Sequence, residues 1–186
     1  MKEIVFCLEE FSARKFLESL LERINSENVT IRYLVFDGKQ DLEAQLTRKL
    51  IGYRNSQATF IVMRDQDGNP DCHAIKQNLR NLCNDGGRND AVVRIACREL
   101  EAFYWGDLLA VEKALEISGL SKLSRRKQFR NSDKIVNPAA ALRKATDGRY
   151  QKVSGSREIG KHISLNNIGS NSFRVLHDSI RLALAA

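Results

Sequence analysis

The chain has 186 residues, 42% hydrophobic and 28% charged, with a formal net charge of +7. That size and balance suit one globular domain, or one domain with a small extension, and exclude a fully disordered or collagen-like chain. No apolar run reaches the ~18 residues of a bilayer span, and the apolar N-terminal stretch is cut short by Glu9 and Glu10, so the expectation is a cytoplasmic protein without a signal peptide or membrane contact.

The first two-thirds of the chain alternates strand and helix signals. Lys2 to Leu8 is a β-rich apolar run, and Ser12 is placed to cap the helix that follows, in which Phe16, Leu17, Leu20, Leu21 and Ile24 recur at helical spacing. Val29 to Phe36 reads as a second strand ended by the turn pair Asp37-Gly38, and Asp41 to Ile51 as a helix with Leu42, Leu46 and Leu50 on one stripe. Ala58 to Met63 is a near-continuous apolar strand, as a strand buried on both faces requires. After the loop RDQDGNP come a helix from Asp71 to Cys83, a strand from Ala91 to Cys97 and a long helix from Leu100 to Ile117. Alternation of this kind predicts crossover connections and an α/β, Rossmann-like, mostly parallel four-stranded sheet.

Beyond Gly119 the pattern weakens to short helices at Pro138–Ala145 and Ser172–Ala185. The division expected is an α/β core over residues 1–119 and a basic C-terminal extension over 120–186, packed on that core. Residues 122–161 hold twelve Lys and Arg against Asp133, Asp147 and Glu158, a local charge of +9 that leaves −2 for the rest. Such asymmetry points to a polyanionic partner. Arg125, Arg126 and Lys127 form one cluster, and Arg157 and Lys161 flank a loop, SREIGKH; these are the nucleic-acid-binding candidates, with a solvated surface as the plain alternative. Cys7, Cys72, Cys83 and Cys97 form no CxxC pair and read as reduced thiols rather than as a disulfide framework or a zinc site.

In parallel α/β sheets ligands bind outside the carboxyl ends of the strands. Here the first strand ends in Glu9 and Glu10, the third in Asp65 and Asp67 as DxDG, and the fourth in Glu99 and Glu101. Crowded carboxylates repel and cost desolvation energy, and a hard divalent cation such as Mg²⁺, with its preference for oxygen ligands, removes the conflict. Asp65 and Asp67 point to one side if the backbone stays extended between them. Each pair also has an ordinary reading: DxDG as a turn or helix cap, Glu10 in a first helical turn where negative charge suits the dipole, Glu99 and Glu101 as partners of Arg94 or Arg98. Their coincidence at three strand ends favours a metal site. His73 is a candidate proton donor or a polar residue of a first helical turn, whereas Phe103 and Trp105 read as core. The chain has neither GxGxxG nor a Walker lysine motif.

Glu9 after the first strand, Asp65-x-Asp67 after the third and an ExE at the next strand edge resemble a TOPRIM domain, the catalytic domain of topoisomerases, primases and the overcoming-lysogenization-defect nucleases. The stretches CLEEFSARKFLESLL, IVMRDQDGNPDC and ACRELEAFYWGDLLA, with the tail KVSGSREIGKHISLNNI and FRVLHDSIRLAL, are similar to a small family of TOPRIM-like proteins often found beside ATPase genes in prokaryotes. The resemblance implies that Glu9 ligates metal or handles protons, that Asp65 and Asp67 bind Mg²⁺ or Mn²⁺, and that Glu99 and Glu101 ligate the metal or orient its ligands. The glycine that commonly follows the first glutamate is Glu10 here.

The activity it implies is metal-dependent hydrolysis of phosphodiester bonds in DNA or RNA, by an effector of a prokaryotic antiphage defence or toxin-like system that works with a separate ATPase. The alternative is a non-catalytic module that binds nucleic acid or docks on the ATPase. A phosphatase-like enzyme with Asp65 as nucleophile is disfavoured because the DxD follows the third strand. A topoisomerase is disfavoured because Tyr33, Tyr53, Tyr104 and Tyr150 lie in no recognisable context and the chain is short.

Overall fold

The computed structural model describes residues 2–25, 29–166 and 169–186. Strands β1 (Glu3–Leu8), β2 (Thr30–Val35), β3 (Thr59–Asp65) and β4 (Val92–Ala96) form one sheet in the order β2-β1-β3-β4, every pair parallel. Between them run helices α1 (Phe11–Ile24), α2 (Lys39–Ile51) and α3 (Cys72–Asp85). The predicted α/β, parallel four-stranded architecture is the one observed.

Side-chain alternation along the strands divides the interior in two. Ile4, Phe6, Leu8, Ile61 and Met63 face a core shared with Phe16, Leu17 and Leu20 of α1. Val5, Cys7, Phe60, Val62 and Val93 face the opposite core, filled by Leu42, Leu46 and Leu50 of α2 and Ile75, Leu79 and Cys83 of α3. Thus α1 covers one face while α2 and α3 cover the other. With right-handed crossovers this reverses the direction of winding between β1 and β3, which opens a crevice at their carboxyl ends.

The remaining elements are α4 (Glu101–Trp105), α5 (Leu108–Leu115), three short 3₁₀ turns between Leu120 and Lys134, α6 (Pro138–Ala145), α7 (Lys152–His162) and α8 (Asn171–Ala185). They join the core on the α1 face, where Leu142, Ile159, Ile163, Phe173, Leu176 and Ile180 are buried. Helix α7 lies along α1 and α5, α6 along α4, and α8 against β4.

Three local expectations give way. The single helix from Leu100 to Ile117 is two helices: α4 stops at Gly106, and the Asp107 side chain caps α5 by accepting the Ala110 N–H at 3.1 Å. Ser12 does not cap α1. Glu10 occupies the cap position, and the Ser12 hydroxyl donates to the Glu10 carboxylate. The SREIGKH segment with Arg157 and Lys161 is not a loop but lies within α7. Gly155 and Gly160 lower its helix propensity, yet packing requires both. A Cβ at Gly160 would stand 2.6 Å from the Phe16 carbonyl oxygen of α1, and one at Gly155 would stand 2.6 Å from Cδ2 of Tyr150.

Gly160→Ala is therefore expected to push α7 off α1 and destabilise the protein by ~1–3 kcal/mol, the range for overpacked sites. Gly52→Ala, whose Cβ would meet its nearest neighbour at 3.4 Å, serves as a near-neutral control. Urea denaturation of both variants checks this.

Candidate functional site

The crevice between β1 and β3 carries acid on both sides. Glu9 follows β1, and its Oε2 accepts the backbone N–H of Asp65 at 3.0 Å. The two strand ends, distant in sequence, are thus joined directly. The Arg64 guanidinium lies 3.8 Å from the same oxygen, donates to the Asp65 carbonyl at 3.1 Å and pairs with Glu43. Burial pushes the Glu9 carboxyl up; the Asp65 N–H and Arg64 pull it down, Asp67 and Glu10 push it further, and the balance is upward.

Asp65, the last residue of β3, is only 7% exposed, and its carboxylate accepts no hydrogen bond from the described residues. Burial, reinforced by Glu10, Glu101 and Glu9, holds its carboxyl well above the ordinary aspartate range. Glu101 opens α4 and is fully buried. One of its oxygens accepts the Tyr150 hydroxyl at 2.7 Å, while Oε2 has no hydrogen-bond partner. Its carboxyl is likewise raised, by burial above all.

The counter-charge comes from far along the chain. Lys152, the first residue of α7, is half-exposed and places its Nζ 2.5 Å from Glu10 Oε2. Burial disfavours its charge, but Glu10, Glu101 and Asp65 outweigh that and push the ammonium upward. Tyr150 and Lys152 thus deliver a hydroxyl and a cation to one acidic group. Sequence reasoning missed both, and it counted Glu10 at the strand end without assigning it to the site. Lys152 was one of twelve cations, and its distinguishing signal is the small-residue run Ser154-Gly155-Ser156 beside it, which marks close packing rather than a solvated face.

The other expected residues lie around this centre in different ways. Asp67 adopts a left-handed φ of 55°, so the extended geometry assumed for the DxD does not hold. Its amide donates to the carbonyl of Arg98, itself at φ 66°, at 2.6 Å, and its carboxylate accepts Lys39 Nζ at 2.8 Å. Two left-handed non-glycine residues in contact are a local store of backbone strain, common beside functional sites. Glu99 uses Oε2 to accept the Ala139 N–H at 2.8 Å, satisfying an amide in the first turn of α6. His73 is exposed in the first turn of α3.

Of the basic candidates, Arg126 and Lys127 line a cavity of about 620 Å³ with Lys134, Gln128 and Asn131, and no carboxylate shares the lining. Arg125 is exposed at the end of the preceding 3₁₀ turn. Arg157 is exposed on α7, and Lys161 pairs with Glu158 at 2.7 Å, one turn away.

Among the described residues, no three Asp, Glu, His or Cys side chains are gathered closely enough to enclose a metal ion. The donor chemistry nevertheless fits a hard cation: an unbonded buried carboxylate at Asp65, an orphaned oxygen at Glu101 and two further carboxylates at Glu9 and Glu10. Lys152 already answers part of that charge.

Over its whole length this fold is similar to the C-terminal region of the Burkholderia pseudomallei OLD protein, with a TM-score of 0.59, 16% identity and 98% of each chain covered. The architecture is accordingly TOPRIM-like. The chain belongs to the family described as domain of unknown function DUF4276, whose model matches residues 8–181. Comparison with curated proteins gives no match. No helix among the described residues is long and apolar enough to cross a membrane.

Because folding raises the Asp65, Glu9 and Glu101 carboxyls, the folded state holds their protons more tightly than the unfolded chain. Metal-free protein is then expected to lose stability as pH rises from about 4, the ordinary carboxylate range, through the raised native values. Asp65→Asn removes one buried charge. In chelator at about pH 8 it is expected to raise Tm by roughly 2–4 °C, the response of a protein of this size to ~1 kcal/mol, and to flatten the pH dependence; a thermal melt series checks both.

Proposed function

We propose that this chain is a nuclease that hydrolyses phosphodiester bonds in DNA or RNA with Mg²⁺ or Mn²⁺. The observation that carries the reading is the Asp65 carboxylate, buried and without a hydrogen bond among Glu9, Glu10 and Glu101 at the β1/β3 crevice. Glu9, Asp65 and Glu101 would hold the metal, with Asp67 and Glu99 at its margin. When bound, the metal would polarise the phosphoryl oxygen and ease formation of the attacking hydroxide.

The chain's own residues supply the rest. Arg64 and the Asp65 amide orient Glu9, and Tyr150 fixes one oxygen of Glu101. Lys152 stands where its ammonium can offset negative charge on a phosphate arriving at the acidic group. Arg126, Lys127 and Lys134, with the exposed Arg125 and Arg157 elsewhere on the same extension, offer the strand basic surface. The family resemblance noted from the sequence adds a prokaryotic defence setting with a separate ATPase as partner.

A second reading is favoured by one observation: the carboxylates are not closed into a three-ligand cluster. In that reading the acidic group is kept neutral by Lys152 and by protonation, and the chain is a nucleic-acid-binding or ATPase-docking module.

Glu9→Ala and Asp65→Ala are each expected to lower Mg²⁺- or Mn²⁺-dependent cleavage by ~10²-fold or more while circular dichroism stays native. Unchanged cleavage in both variants sinks the nuclease assignment. Titration calorimetry that finds no Mg²⁺ or Mn²⁺ binding, with salt-sensitive nucleic-acid binding retained, establishes the module instead. Joint replacement of Arg126, Lys127 and Lys134 by Ala should weaken binding to duplex DNA evenly across sequences. It should also reduce the slope of log affinity against log salt by about 3, close to one for each phosphate that is no longer neutralised.

A further inference from the structure

Beside the acidic group, on the α2/α3 face of the sheet, lies a separate cavity of about 390 Å³. It is within the ~300–1,000 Å³ range of small-ligand sites. Its chemistry differs from that of the basic tail. Four side-chain amides line it: Gln40 from α2, Gln66 and Asn69 from the loop after β3, and Asn78 from α3. The buried Gln66 is held in place, donating through Nε2 to the Asn69 carbonyl at 2.8 Å and accepting the Arg98 N–H at 3.3 Å. The side chains of Gln40 and Asn78 make no hydrogen bond with the described residues and are exposed at the mouth. Ala74 and Ile75 supply an apolar wall.

The charges in this lining are already spent. Arg64, 5% exposed, is paired with Glu43, and Lys39 is paired with Asp67. A bare phosphate would meet a carboxylate and two neutralised cations. A planar, uncharged heterocycle with several hydrogen-bonding edges would meet the Gln40 and Asn78 amides, each with a donor and an acceptor, and the Asn69 amide nitrogen, whose Oδ1 partner already accepts the Asp71 N–H at 2.9 Å, above an apolar wall. Amide side chains are groups that pair bidentately with base edges. Lys39 pairs with Asp67, and Arg64 lies 3.8 Å from Glu9 and donates to the Asp65 carbonyl, so the cavity borders the acidic group.

We propose that this cavity is a nucleobase subsite, which receives one unpaired base of the substrate strand next to the cleaved bond and gives the enzyme a base preference there. The proposal rests on the nuclease reading for its substrate, but its test does not. Uniformly ¹⁵N-labelled full chain is titrated, in chelator, with adenosine, guanosine, cytidine and uridine in turn, and with inorganic phosphate. At least one nucleoside is expected to shift the side-chain amide resonances of Gln40, Asn69 and Asn78, with phosphate leaving them unmoved. The surface substitutions Gln40→Leu and Asn78→Leu together should weaken that nucleoside by about tenfold, while Asp65→Asn leaves its titration unchanged. Nucleoside-dependent shifts in a chain that cleaves nothing would support the subsite and sink the nuclease reading alone. No shift with any nucleoside, or equal shifts with phosphate, overturns the proposal.

Discussion

Carboxylates crowded where water is largely excluded dominate the physical chemistry of this protein. Asp65 and Glu101 are buried, Glu9 nearly so, and all three are pushed toward their protonated forms by burial above all, with the charge of Glu10 adding to each. A folded chain tolerates such a group only if protons, an internal cation or an external one balances it. Here Lys152 and the Tyr150 hydroxyl give a partial answer, and an oxygen of Glu101 is left over.

The parallel sheet explains why the acids meet at all. Glu9 and Asp65 end adjacent strands, β1 and β3, and the reversal of winding between those strands leaves their carboxyl ends uncovered by any crossover. The helical extension then builds the far wall of the crevice. Close approach of α7 to α1, possible only because residue 160 has no side chain, carries the start of α7 to Glu10. Gly155 likewise leaves room for the Tyr150 ring that reaches Glu101. Two glycines that look unfavourable in a helix are therefore part of how the acidic group is completed.

The loops after β3 and β4 separate two environments that share a border. Asp67 and Arg98, both left-handed and bonded to each other, turn the chain so that Asp65 faces the α1/α7 side while Asp67 meets Lys39 of α2. On one side the lining is acidic and answered by a lysine; on the other it is amide-rich with its ion pairs already closed. In the proposed reading, a nucleic-acid strand lying across this border would present a phosphate to the first and a base to the second.

The amino-acid sequence by itself determined the strands, the α1 to α3 crossovers and the carboxylates at three strand ends, because period-two and period-3.6 patterns and the Asp-x-Asp-Gly turn are local properties of the chain. It did not determine that a glycine-bearing segment is helical, that Leu100 to Ile117 is broken at Gly106-Asp107, or that Glu99 is spent on the amide of Ala139. Those outcomes depend on pairings between residues far apart along the chain, among them Glu99 with Ala139, Tyr150 with Glu101 and Lys152 with Glu10. Charge composition shows an acidic strand rim and a basic tail. Only the tertiary packing decides which of twelve cations is turned inward, since that choice is made by the space between α1 and α7.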